Sequence, residues 1–117
     1  MTLIEAIARM EGYGVPGAIP TRDNNPGDIV AGRFAASEGA TGVDARNQRF
    51  ATFATPEDGF KALRDLLNSP AYRGLTVEQA INKYAPPCEN ATTNYVALVC
   101  HWTGLTPDTV LTESNIG

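Results

Sequence analysis

Glu11 stands where a carboxylate is costly. It follows Ile7 by four residues and Ile4 by seven, and residues at those spacings share one face of a helix. It therefore projects from an apolar stripe, in the last turn of its helix. Loss of water and the negative end of the helix dipole both favour the neutral acid there. An acid that keeps its proton near neutral pH suits donation to a glycosidic oxygen. The same pattern also fits an acid that borders the stripe, bonds a backbone amide of the following loop and does no chemistry.

Simple hydrolysis needs a second carboxylate, and Asp23 is the candidate, with Asp28 behind it. Retaining glycosidases hold their carboxyls ~5–5.5 Å apart and inverting ones ~6.5–9.5 Å. The plainer reading of Asp23 is an Asx turn into the Asn24-Asn25-Pro26-Gly27 bend. Asp23 falls in a loop and Asp28 only at the first turn of a short strand, and a catalytic carboxylate needs rigid support. The expectation is chemistry carried by Glu11 alone.

Clear start and stop signals define the elements that must position these groups. Thr2-Leu3-Ile4-Glu5 is a capping box, and Gly12 and Gly14 end the first helix near Glu11. Thr55 caps a second helix with Pro56 in its first position, and Phe60, Leu63 and Leu67 form its buried stripe. Thr76-Val77-Glu78-Gln79 opens a third, carrying Ala80, Ile81 and Tyr84 and stopped by Pro86-Pro87. Asn90 is expected to cap a fourth, with Tyr95, Leu98, Val99 and Trp102 inward and Gly104 closing it. Thr106-Pro107-Asp108 is read as one last short turn of helix. Residues 13 to 50 are rich in Gly, Pro, Asn and Asp; Asp28 to Gly32 and Arg49 to Phe53 read as two short strands, and Glu38 to Gly42 as a turn. The expected fold is α+β, mainly helical, with a small β-hairpin inserted after the first helix.

Composition excludes several classes. With 117 residues, the chain suits a single domain over 1–117. The net charge is −4, and all nine Lys and Arg lie at or before Lys83. No basic stripe offers itself to nucleic acid or to an anionic membrane. No apolar run approaches the ~20 residues of a membrane helix, and no secretory signal opens the chain. The two cysteines and single His101 make no zinc set, so no metal and no cofactor is expected. A helix over residues 91 to 102 would put Cys100 ~14 Å along its axis from the Cys88 end. A disulfide needs Cα atoms within ~7 Å, so free thiols are expected.

Several segments, in order, resemble the lysozyme-like family of phage and bacterial proteins, often labelled phage structural or lytic transglycosylase-like. They are Ala6 to Gly12 followed by Arg22-Asp23-Asn24-Asn25-Pro26-Gly27-Asp28-Ile29; Phe50-Ala51-Thr52-Phe53 with Pro56 to Leu63; Tyr84-Ala85-Pro86-Pro87-Cys88-Glu89-Asn90 with Thr93 and Tyr95; and Thr103-Gly104. Two departures stand out: Asp28 where Asn is more usual, and Cys88 inserted between Pro87 and Glu89. The resemblance implies a lysozyme-like fold with Glu11 as catalytic acid at a helix end, facing a cleft walled by a small sheet. It implies cleavage of the β-1,4 bond between N-acetylmuramic acid and N-acetylglucosamine, by a muramidase or by a lytic transglycosylase. In the latter, one Glu serves as acid and then base while the sugar's 6-hydroxyl closes an anhydro ring. Asn24, Tyr84, Glu89, Asn90 and Tyr95 become candidate substrate contacts. The tyrosines read more readily as core, and Glu89-Asn90 equally as a helix cap. A bacteriolytic monomer acting on the cell wall, in the periplasm, outside the cell or on a virion, is the expected setting. The alternative is a lysozyme-like module that grips glycan or builds a virion without cutting.

Overall fold

The computed structural model describes residues 1–86 and 91–117. Its architecture is α+β and mainly helical, with a single antiparallel pair of two-residue strands among the described residues. In chain order the elements are α1 (Leu3–Glu11), α2 (Ile19–Arg22), α3 (Arg33–Ser37), β1 (Gly42–Val43), β2 (Ala51–Thr52), α4 (Pro56–Leu67), α5 (Val77–Tyr84), α6 (Thr92–Thr103) and α7 (Glu113–Ile116). They make two compact units, Ile7–Asp65 and Met1–Ala6 with Leu66–Gly117.

The capping signals are realised. The Thr2 amide donates to the Glu5 carboxylate at 2.8 Å and the Glu5 amide to the Thr2 hydroxyl at 3.3 Å. The Asp58 amide donates to the Thr55 hydroxyl at 3.2 Å, starting α4. Thr76 and Gln79 close a reciprocal box at α5. Gly12, at φ +100°, ends α1, and Gly104, in the left-handed conformation, ends α6.

In the unit Ile7–Asp65 the buried apolar residues include Ile7, Ala8, Ile29, Ala35, Ala51, Phe53, Ala62 and Leu63. Each large one contributes ~1.5–3 kcal/mol by leaving water. Phe60 is half-buried and meets Tyr13 edge to face, with ring centroids 5.3 Å apart. In the other unit, Leu67, Val77, Ile81, Tyr95, Val99, Leu111 and Ile116 are buried. The backbone of residues 75–77 bonds that of 109–111 there, through the Val77 amide to the Thr109 carbonyl and the Leu111 amide to the Leu75 carbonyl.

Several expectations are corrected. Asp28 to Gly32 is not a strand. Asp28 sits at φ +51° and Gly32 at +153°, which breaks an extended run, and only Val30 forms an isolated bridge, to Phe50. The partner of β2 is β1, with Gly42 opposite Thr52 and Val43 opposite Ala51. The hairpin follows three helices rather than one, because α2 and α3 are one-turn helices too short to leave a periodic signal. Helix α6 starts at Thr92 with Ala91 in the cap position and no side-chain cap bond; Asn90 itself lies outside the described residues. Within α6, Leu98 is 40% exposed and Val96 takes its place inside. Pro107-Asp108 is a plain turn, and the last short helix is α7, boxed by Thr112 and Asn115. No described helix is long and apolar enough to cross a membrane.

Candidate active site

The Asn24–Gly27 loop is the frame of the site. Asn24 adopts φ +51°, a left-handed conformation that Asn and Asp enter more readily than other side chains. Its Nδ2 donates to the carbonyls of Phe53 and Ala54, each at 3.1 Å. Asn25 is fully buried. Its Nδ2 donates to the carbonyls of Ile29 and Ala51, each at 2.9 Å, and its Oδ1 accepts the Ile29 amide at 2.9 Å. The loop is therefore irregular in conformation but fixed at both ends of its turn. Irregular backbone did not mean loose support.

This frame delivers Asp28 to Glu11. Glu11 is the last residue of α1 and is half-buried. Asp28, half-buried, is held up to about 7, first by desolvation, then by the charge of Glu11 and a hydrogen bond with its carboxyl, then by the charge of Asp23, with Arg49 opposing. The Asp28 Oδ1 has no donor within reach. Two ionised carboxylates have only acceptors to offer, so the contact becomes a hydrogen bond only when one of them carries a proton. Asp28 and Glu11 are thus a pair of carboxyls joined by a hydrogen bond when Asp28 carries its proton. The sequence pointed to Glu11 but ranked Asp28 last. Its left-handed φ is set by the folded loop and leaves no mark in the sequence.

Asp23 makes a different pair. It is 5% exposed, and its carboxyl, when protonated, donates a hydrogen bond to Asp44, which is 1% exposed. Burial first, then the hydrogen bond and charge of Asp44, push Asp23 up to about 6, against the pull of Arg22. Asp44 is held well below the usual carboxylate range, first by Arg22, then by Asp23 and by the Asn47 and Arg46 amides. Arg22 grips both Asp44 oxygens, at 2.8 and 2.7 Å. Asp23 thus turns to Asp44 rather than closing the expected Asx turn. Asp44 left no sequence signal, since it reaches Asp23 across 21 residues of chain.

The remaining candidates scatter. Asn24 spends its amide on the backbone of residues 53 and 54. Tyr84 ends α5 in the other unit, half-buried and tilted against Tyr72 at 6.4 Å between ring centroids. Tyr95 is 3% exposed and belongs to the core of that unit, the plainer of its two readings. Glu89, Asn90 and Cys88 lie outside the described residues. Cys100 is a free thiol, raised by burial and by the charge of Glu78. No group of three or more His, Cys, Asp or Glu suited to a metal ion occurs among the described residues. No protein-family model, no curated protein and no solved structure matches the chain.

Proposed function

We propose that this protein cleaves peptidoglycan glycan strands at the β-1,4 bond between N-acetylmuramic acid and N-acetylglucosamine, on a lysozyme-like fold. The observation that carries the reading is the Glu11–Asp28 pair, a carboxyl at a helix end hydrogen-bonded to a carboxyl on a pinned loop. With Asp28 at about 7, the pair holds one proton near neutral pH. Glu11 delivers that proton to the glycosidic oxygen as the bond breaks. The carboxylate left behind faces the positive charge that develops on the sugar ring. The pair then takes a proton back, from water in hydrolysis or from the sugar's 6-hydroxyl in ring closure. Carboxyls in contact leave no room between them for the water that inverting enzymes place there. Retaining pairs, at ~5–5.5 Å, also stand wider than contact, so the reading favours an anhydro-forming route in which one Glu serves as acid and then base. The sequence resemblance supports the substrate class, and the cell wall, reached from the periplasm, the outside or a virion, is the proposed place of action.

The test is turbidity loss of a purified cell-wall suspension, with mass spectrometry of the products. Wild type is expected to clear it, and Glu11→Gln to lose about 10²–10⁴-fold, since the amide keeps the shape without an acidic proton. Anhydro ends mark transglycosylation and reducing ends hydrolysis. An unchanged rate in Glu11→Gln overturns the assignment. Wild type that binds the walls without clearing them is a glycan-binding module instead.

A further inference from the structure

Arg22 is the hub of a polar cluster that the proposed chemistry does not use. Its Nε and Nη2 fork onto the two Asp44 oxygens at 2.8 and 2.7 Å, and its Nη1 donates to the Gly17 carbonyl at 3.1 Å. The Asp44 Oδ2 also accepts the amides of Arg46 at 3.0 Å and Asn47 at 2.7 Å. The Asp44 amide on the Phe50 carbonyl, and the Phe50 amide on the Asn47 carbonyl, close the turn between β1 and β2. Arg46 and Asn47 are exposed, so a surface turn is fastened to the end of α2 through a buried carboxylate. Asp23, the residue after Arg22, stands beside this fork and is 5% exposed. Its amide donates to the Ile19 carbonyl at 3.0 Å, its carbonyl accepts the Phe53 amide at 2.9 Å, and its Oδ2 has no donor within reach. The Asp23 backbone is thus pinned on both sides and cannot withdraw its carboxyl.

We propose that Asp23, Asp44 and Arg22 form a pH-sensitive latch: protonated Asp23 holds the Asp44–Asn47 turn down, and its ionisation releases that turn. With the proton in place, Asp23 donates to Asp44, and one carboxylate faces one guanidinium. Without it, two buried carboxylates meet with only acceptors to offer and a single guanidinium to share. A buried charge left without a partner is costly. The pinned Asp23 cannot move, so the side that yields is the turn. The charged groups facing Asp23 are Arg22 from α2, Asp44 from the turn and Asp28 from its own loop; those facing Asp44 are Arg22 and Asp23. Arg22 first, then Asp23 and the turn amides, keep Asp44 ionised, so the proton of the cluster resides on Asp23, which burial first and then Asp44 push up to about 6. The latch is shut in mild acid and opens as pH climbs through that value. It stands whether or not the protein cuts glycan.

The test needs no substrate. The full chain is titrated from about pH 4 to about pH 8 by nuclear magnetic resonance, following the Asp23 carboxyl carbon and the Arg46 and Asn47 amides. Solvent exchange of those two amides is read at each point. The expected result is one shared midpoint near 6. Above it both amides exchange at least about tenfold faster, after allowance for base catalysis of exchange itself. Asp23→Asn puts an amide donor against Asp44 at every pH, so its turn amides are expected to stay protected throughout. An Asp23 carboxyl that titrates while the turn amides keep their protection overturns the proposal, because water has then met the charge without opening the turn. The same opening in Asp23→Asn overturns it too, since another group then drives it. Should that variant fail to fold, wild type decides: turn amides whose midpoint differs from that of the Asp23 carboxyl overturn the latch.

Discussion

Gly59 of α4 lies directly against the carbonyl of Asn24: a methyl group on its Cα would overlap that oxygen and come within 2.6 Å of the Pro26 Cδ. The helix approaches the acid-bearing loop this closely only because position 59 has no side chain. Alanine normally improves a helix interior by ~1 kcal/mol over glycine. Here overpacking against backbone outweighs it, at a cost of ~1–3 kcal/mol. Gly59→Ala is expected to melt at lower temperature and to clear cell walls more slowly per folded molecule, since the loop that aims Asp28 must shift. A variant more stable than wild type would refute this account of the helix–loop contact.

Asp28→Asn removes the partner of Glu11 while keeping a residue that accepts the left-handed conformation. The variant is expected to fold normally and to lose about ten- to a hundredfold in clearing rate, ~1.4–2.7 kcal/mol of transition-state stabilisation. Steady-state rates at about pH 6 measure it. A loss under about twofold returns the chemistry to Glu11 alone.

Stability should depend on pH through the same groups. Asp28 is raised from 3.8 to about 7, and Asp23 from 3.8 to about 6. In this window the folded state binds more protons than the unfolded state, so stability falls as pH rises. The contribution is complete below the ordinary value and lost as pH climbs through the folded values. Asp44, held low, acts in the opposite sense, but only in acid below the ordinary range. Melting temperature is expected to drop between about pH 4 and pH 7, and Asp28→Asn and Asp23→Asn to flatten that slope. A slope identical in all three proteins would show that these carboxyls titrate as ordinary surface groups.

Thr2→Ala and Thr55→Ala each delete a cap hydrogen bond seen at the start of α1 and α4. Each should cost about 1 kcal/mol in denaturant unfolding, with clearing rate per folded molecule unchanged. A Thr55 variant that melts like wild type yet loses activity would mean that this hydroxyl contacts substrate.

The capped helices were legible because their signals are local. Thr2 and Glu5, Thr55 and Asp58, and Thr76 and Gln79 interact within three residues of chain. The candidate acid was legible for the same reason, since Ile4, Ile7 and Glu11 share one helix. What escaped was set by distant partners. The 28–32 segment carries strand-like residues, but Asp28 and Gly32 take positive φ under the demands of the Asn25 side chain and the turn into α3. The meeting of Asp28 with Glu11, and of Asp23 with Asp44, depends on where loops close, and no spacing rule reports that. Leu98 and Val96 differ by two residues, so a small error in rotating α6 exchanged the inner one for the outer.

The buried Asn25 has a consequence for how the acid pair comes apart. Its amide imitates a short stretch of ladder, tying Ile29 to Ala51 across 26 residues from its own position. Two backbone groups, the Ile29 amide and the Ala51 carbonyl, would be orphaned if that side chain let go, at ~1–3 kcal/mol each, while the Ile29 carbonyl keeps the Ala51 amide at 3.0 Å. The turn that carries Asp28 therefore cannot fray as surface loops usually do, and its opening is tied to the loss of β2. In hydrogen-exchange terms, the Ile29 amide belongs to the slow class that exchanges only when the surrounding cooperative unit opens.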